Sequence, residues 1–412
     1  MPASDDHPRD RRILLVEVHA HKGFGHYPVV FAELGTALVA LGYDVEALTQ
    51  CGWYFEGDPA FATIPVRRFG RTTNGAWSLA TALARVPPRG LAGRLSLYAR
   101  TRVLMSATSR LVRDEGFTDV IVTSGIDTMI GARMAKRGRW LAYRFNPPSP
   151  SERKRAGRRL RRTRSGEARA PRLRIAVSTS TMAESWAEVA PWLAPVMVPF
   201  IAARPRDPIP DARQRLGLPD DKPVALLFGA NPTKDCEVVW RAFDRMPEWC
   251  LVIGGFSGVR PSAGAYRDWA ARQEAIATTP VLFDGYATEE TRSLVYAAAD
   301  IVINSVKAGS QSDSGNLVDA ISWGRAVVQS DHCPAADIVR RHGLGAIFEP
   351  SDIDSLVAVV KHAPRQPDPD GLRDALAELG AAAVAQRNLD ALDALDGYAP
   401  GLANTKHCAS TG

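Results

Sequence analysis

The chain of 412 residues contains no run of about 18 consecutive apolar residues, so no membrane-spanning helix is expected. No apolar h-region follows the polar start MPASDDHPRDRR, only the short stretch Ile13–Val18, and no secretory signal is predicted. Cysteine is scarce: Cys51, Cys236, Cys250, Cys333 and Cys408 are scattered, with no CxxC pair. That spacing argues against a zinc site and a disulfide framework, and predicts buried or half-buried thiols in a reducing cytoplasm. No DxD triplet falls in a suitable loop, so neither a metal nor another cofactor is indicated. No repeat recurs at a period of about 20–50 residues.

Excess charge is missing from most of the chain as well. The net charge of +6 comes from one place. Residues 151–174 hold eleven Lys or Arg against two Glu, a local +9 that leaves the remainder at −3. The run has no interleaved aromatics, so base stacking is not expected and neither is a nucleic-acid partner. On a helix its arginines would spread around the circumference, unlike an amphipathic anchor. The run reads as a solvated loop, or else as contact with a peripheral membrane surface or another anionic partner.

What is present is the material of a two-domain enzyme. Hydrophobic residues make up 45% and charged residues 23%, ordinary for a globular protein, and the length favours two domains. The opening strand RRILLVEV leads into the loop AHKGFGHYP and a stretch with Val30, Leu34, Leu38 and Leu41 at helical spacing. Gly42 is placed to stop that helix, and DVEALTQ gives the next strand. Helix about Leu91–Asp114, strand TDVIVTSG, helix DTMIGARMAKRG and strand WLAYRF follow. Strand PRLRIAVSTS, a helix capped by Ser180 or Thr181, and strand APVMVPF complete the first half. The alternation restarts at VALLFG and runs through WCLVIGG, a helix near Tyr266–Ala277, VLFDGY, TEETRSLVYAAA and DIVINS. SDIDSLVAVVKHA is a further helix with Ser351 or Asp352 as cap, and Glu349 with Ser351 is read as structural. Alternating strands and helices predict α/β architecture with parallel sheets. The expected domains are 12–200, a Pro-rich linker 201–222, 223–370, a C-terminal helix 371–398 and a disordered tail 399–412.

The segment DIVINSVKAGSQSDSGNLVDAISWGRAVVQSD is the most specific part of the chain. A strand (Ile301–Asn304) opens into a polar loop, a helix begins near Gly315–Asn316, carries Asp319 and stops at Gly324, and a second strand starts at Ala326. In such a unit the loop lies at the carboxyl end of the strand, where ligands bind. Unpaired N–H groups at Ser314, Gly315 and Asn316 could hold a diphosphate.

This order resembles the donor-nucleotide region of family 4 glycosyltransferases, which have the GT-B fold: two Rossmann-like parallel-sheet domains facing across a cleft. The resemblance implies a nucleotide-diphosphate sugar donor, a hydroxyl acceptor of unknown identity, and retention of configuration without a metal. It places Asp319 on the nucleotide ribose as the second acid of the family's acid–seven–acid motif. Gln311 stands where the first acid belongs, Asp313 is the nearest carboxylate, and both are candidates for sugar contact. GRAVV replaces the family's Gly-x-Pro-Val turn. Lys234 in GANPTKD matches the lysine of a basic pair that neutralises the leaving diphosphate. The partner arginine is missing near Ala230 or Asn231, and Lys307 is the candidate replacement. The loop with Gly23 and Gly25 would border donor phosphate and acceptor, with Lys22 and His26 in reach and His19 and His21 less favoured. Asp127 is either a base for the acceptor or the cap of the following helix; Ser124 and Asn146 end neighbouring strands. Other GT-B chemistry remains open: an inverting transferase using His26 or Asp127, a nucleotide-sugar epimerase, or an inactive sugar-nucleotide-binding partner.

Overall fold

The computed structural model describes residues 11–17, 27–49, 64–68, 91–123, 135–144, 148, 152–154, 156, 172–199, 205–229, 234–255, 262–273, 275–283, 287–307 and 315–396. The chain forms two compact units. One comprises residues 1–199 with 384–412, the other residues 200–383.

The first unit holds β1 (Arg12–Glu17), α1 (Tyr27–Ala40), β2 (Asp44–Thr49), β3 (Val66–Arg68), α2 (Leu91–Glu115), β4 (Asp119–Val122), β5 (Arg139–Arg144), β6 (Leu173–Val177), α3 (Ser180–Val189) and β7 (Val196–Met197). The strands pair in the order β3-β2-β1-β4-β5-β6-β7, all parallel. Runs such as ILLV in β1 and VIV in β4 are buried throughout, as a sheet covered on both faces requires. In α1, Phe31, Leu34 and Leu38 are fully buried. Leu41 lies beyond the last turn and is exposed. Gly42 ends the helix at φ 91°, and Tyr43 N–H reaches back to the Leu38 carbonyl at 3.2 Å. The cap of α3 is Thr179 rather than Ser180 or Thr181: its side chain accepts from Met182 N–H at 3.2 Å. Of the predicted helix DTMIGARMAKRG, residues 127–134 lie outside the described residues and 135–138 are not helical; the tail 399–412 also lies outside them.

The second unit holds α4 (Ala212–Leu216), β8 (Val224–Phe228), α5 (Cys236–Asp244), β9 (Cys250–Gly254), α6 (Ser262–Ala270), β10 (Val281–Leu282), α7 (Glu289–Ala298), β11 (Ile301–Asn304), α8 (Gly315–Ser322), β12 (Ala326–Ser330), α9 (Pro334–Arg341), β13 (Gly345–Phe348), α10 (Ile353–His362) and α11 (Pro369–Leu379). Its sheet runs β10-β9-β8-β11-β12-β13, again all parallel. Alternate residues of β8 enter different cores: Val224 and Leu226 face one, Ala225 and Leu227 the other. The stretch 205–222 carries α4, whose Arg213 pairs with Asp300 at 2.7 Å. Asp352 caps α10 by accepting from Ser355 N–H at 2.9 Å.

The last helix, α12 (Ala381–Asp393), belongs from residue 384 onward to the first unit. Asn388 donates to the Tyr143 hydroxyl at 2.8 Å, and Arg174 donates to the Ala391 carbonyl at 3.1 Å. Arg139 reaches Asp393 and Asp396 at 3.0 and 2.8 Å. Among the described residues no helix is long and apolar enough to cross a membrane. Cys236, Cys250 and Cys333 are buried thiols outside any disulfide.

Candidate functional site

Each sheet reverses its strand order at one place, between β1 and β4 in the first unit and between β8 and β11 in the second. At such a place the flanking connections leave in opposite directions and open a crevice at the carboxyl ends of the strands.

In the second unit this crevice is built around the carbonyl of Phe228, the last residue of β8. Lys234 Nζ donates to it at 2.6 Å and Asn316 Nδ2 at 2.7 Å, filling both lone pairs. Gly229 then turns the chain at φ 71°, a left-handed conformation that L side chains resist. Lys234 is fixed from the other side too. Its backbone bridges Val306, Asp235 N–H donates to the Ser305 carbonyl at 3.2 Å, and Ser305 Oγ donates to the Asp235 carbonyl at 2.9 Å. The loop after β8 is thereby tied to the end of β11. Beneath it lies a buried polar layer. Asn304 donates to Gln329 Oε1 at 2.5 Å, and Gln329 Nε2 returns to the Asn304 carbonyl at 3.1 Å. Val306 N–H donates to Ser330 Oγ at 2.8 Å.

Helix α8 starts at this crevice, where Asn316 of its first turn meets the Phe228 carbonyl, and its first amides have no intrahelical partner. Asn316 and Asp319 lie one turn apart on it and share a face. Asp319 is buried, and Arg292 of α7 grips both its oxygens: Nε donates to Oδ2 at 3.1 Å and a terminal nitrogen donates to Oδ1. Arg292 also donates to Glu289 Oε2 at 3.1 Å. Desolvation alone would lower the Arg292 pKa, but Asp319 wins and raises it above the usual value. Burial likewise raises the Tyr296 hydroxyl well above its usual range, with Asp319 adding to the effect. Burial pushes the Lys234 ammonium down to about 8; the Cys236 sulfur and Asp319 carboxylate oppose that fall.

The structure therefore brings together Lys234, Gly315, Asn316 and Asp319 from the residues expected on sequence grounds. Lys307 directly follows Val306 and is exposed. Gly23, Gly25, His26, Asp127, Gln311, Asp313 and Ser314 lie outside the described residues. Arg292 was not foreseen: it is 27 positions before Asp319, and nothing local in TEETRSLVY marks it.

The crevice of the first unit carries a different chemistry. Glu17 ends β1 with its side chain fully buried, and Thr123 Oγ1 donates to its Oε2 at 2.6 Å. Thr49 stands opposite Glu17 in the strand register. A carboxylate at the end of the apolar run ILLVE was the available sequence signal. Among the described residues, the ligand atoms of Asp331, His332 and Glu349 lie within 4.8 Å of one another. Asp331 is already held by Arg340, and His332 faces Glu349 at 3.5 Å, so the group reads as a solvent-facing ion-pair cluster.

No protein-family model and no curated protein matches the chain. Solved structures do. A glycosyltransferase from Rickettsia africae superposes with a TM-score of 0.67 at 11% identity, covering 94% of this chain and 99% of that one. HepE from Anabaena, solved with UDP-glucose, gives 0.64 at 12% identity, with 93% and 99% covered. Sucrose-phosphate synthase from Thermosynechococcus elongatus gives 0.64 at 18% identity, with 94% and 99% covered. Two all-parallel α/β units of this kind make the GT-B fold.

Proposed function

We propose that the chain is a glycosyltransferase that moves a sugar, of hexose type, from a nucleoside-diphosphate donor to a hydroxyl acceptor. One observation carries the reading: a desolvated lysine, an asparagine and a helix N-terminus converge on the β8–β11 crevice, the place where a doubly wound sheet takes its ligand. Solved structures with this fold and bound UDP or UDP-glucose support the donor class.

In this reading the diphosphate lies against the first amides of α8. Lys234 leaves the Phe228 carbonyl to meet the phosphate oxygens, and its positive charge counters the negative charge that builds as the bond from anomeric carbon to phosphate oxygen breaks. A cation already in place does this without rearrangement of solvent. Lys307 lends further positive charge from the end of β11. The donor is a co-substrate, transfer retains anomeric configuration, and no metal takes part. The three buried thiols suit a protein working in the cytoplasm.

The test is a thermal-shift series with nucleoside diphosphates. At least one should raise the melting temperature by several degrees, and Lys234→Ala should remove the shift while leaving the unliganded protein folded. A shift that survives Lys234→Ala would place the nucleotide elsewhere.

A further inference from the structure

Lys234 is a cation with a carboxylate for a neighbour, yet it does not pair with it. Asp319 is the carboxylate that acts on Lys234 through space. It sits one helical turn beyond Asn316, which shares the Phe228 carbonyl with Lys234. An ammonium beside a buried carboxylate ordinarily closes the distance and forms a salt bridge. Here Nζ is turned to a neutral carbonyl at 2.6 Å instead. The reason is visible on the other side of Asp319, where Arg292 occupies both oxygens in a fork. A planar guanidinium outcompetes an ammonium for a bidentate carboxylate.

We infer that Arg292 is a positioning residue for Lys234: by holding Asp319 it keeps the lysine off that carboxylate and available to a diphosphate. The inference rests on the reading of this crevice as the diphosphate site. The guanidinium does not contact the ligand itself, because its nitrogens are engaged by Asp319 and Glu289. The groups that bear on the ammonium are Cys236 on α5 and Asp319 on α8; Arg292 and Tyr296 of α7 act in turn on Asp319, and Glu289 pairs with Arg292. Asp319, Arg292 and Glu289 form a network, with Arg206 on Glu289 at 3.5 Å, so removing Arg292 frees Asp319 toward Lys234. Lys234 would then be held as the inner half of an ion pair. A diphosphate would have to displace a carboxylate rather than a carbonyl.

Three variants test this: Arg292→Met, the double variant Arg292→Met with Asp319→Leu, and Lys234→Ala. The probes are inorganic pyrophosphate, which has no ribose, and UDP. Calorimetry should show Arg292→Met weakening pyrophosphate at least tenfold at pH 7, as Lys234→Ala does. The double variant, with both charges gone, should recover to within about threefold of the unmodified protein. Recovery with pyrophosphate but not UDP assigns Asp319 a separate contact to the ribose and leaves the inference standing. A double variant as weak as Arg292→Met on pyrophosphate would show that Arg292 touches the phosphate, and would overturn it. So would Arg292→Met binding pyrophosphate normally.

A second readout needs no ligand. The titration of Lys234, followed by NMR of carbon-labelled lysine, should move upward in Arg292→Met and return in the double variant. An unmoved titration overturns the inference even if the unmodified protein binds no diphosphate at all. That last result alone would sink the functional reading instead. Should Arg292→Met fail to fold, the double variant, which removes both partners of the Arg292–Asp319 pair together, still reports: it must bind pyrophosphate within threefold of the unmodified protein.

Discussion

A lysine that loses its water has a pH dependence that an exposed one lacks. Burial holds Lys234 at about 8 against a usual 10.5, so the ammonium is charged below that value and neutral above it. Above the ligand's own last ionisation at about pH 6, diphosphate affinity should therefore fall as pH rises through about 8, approaching a tenfold drop per unit beyond it. Lys234→Arg, charged at every accessible pH, should remove the decline even where it weakens binding. A profile flat to pH 9.5 in the unmodified protein would contradict a titrating cation at the site. Lys234 and Asp319 were legible from the sequence because strand–loop–helix spacing and a resemblance placed them. Arg292 was not, because its link to Asp319 exists only after α7 and α8 pack side by side. Glu17 was legible in principle, since a carboxylate inside a buried parallel strand violates the pattern around it. Thr123→Val should cost about 1–3 kcal/mol in urea unfolding, the usual penalty for stripping a donor from a buried acceptor. A neutral outcome would mean that Glu17 has other donors strong enough to replace it.

At the scale of elements, the crevice depends on how β8 ends. Gly229 turns at φ 71° immediately after the carbonyl that seats Lys234 and Asn316. Gly229→Ala puts a Cβ into the left-handed region at about 1–2 kcal/mol, and its Cβ would stand 3.9 Å from Lys234 Nζ. The expectation is a lowered melting temperature together with weaker diphosphate binding. A variant that loses stability but binds normally would detach the turn from the site. Most strands read correctly from sequence because parallel strands covered on both faces are short apolar runs, as in VALLF and IVIN. The elements missed were those without such a signal. VRR of β3 is three residues long and two of them are charged. PAADIVRR of α9 has only a short apolar face and begins with proline, which reads as a breaker but is well suited to the first turn of a helix.

For the whole molecule, the course of the chain matters more than any one contact. The first unit is interrupted by the second and completed by α12. Val384, Leu389 and Leu392 are fully buried there, at about 1.5–3 kcal/mol each, against a total stability of about 5–15 kcal/mol for a typical domain. A chain ending at residue 383 should lose hydrogen-exchange protection in β4 and β5 while β8 and β11 keep theirs. Protection retained in β4 and β5 would show that the helix is dispensable. No local pattern in LRDALAELGAAAVAQRNLDALDAL announces this return, since an Ala/Leu-rich helix carries no mark of the surface it will cover. The buried Asn388 was the faint exception, and it pairs with Tyr143, some 245 positions away.

That route sets an order of events during synthesis. A ribosome delivers the sequence from its amino end, and a nascent unit can settle only when all its pieces have left the exit tunnel. The inserted unit is finished first, although its codons come later than most of its neighbour's. The first-made strands wait, with one flank open, until the helix that begins the return at residue 384 has been made. A premature stop just before residue 384 would spoil the part of the protein that was begun earliest.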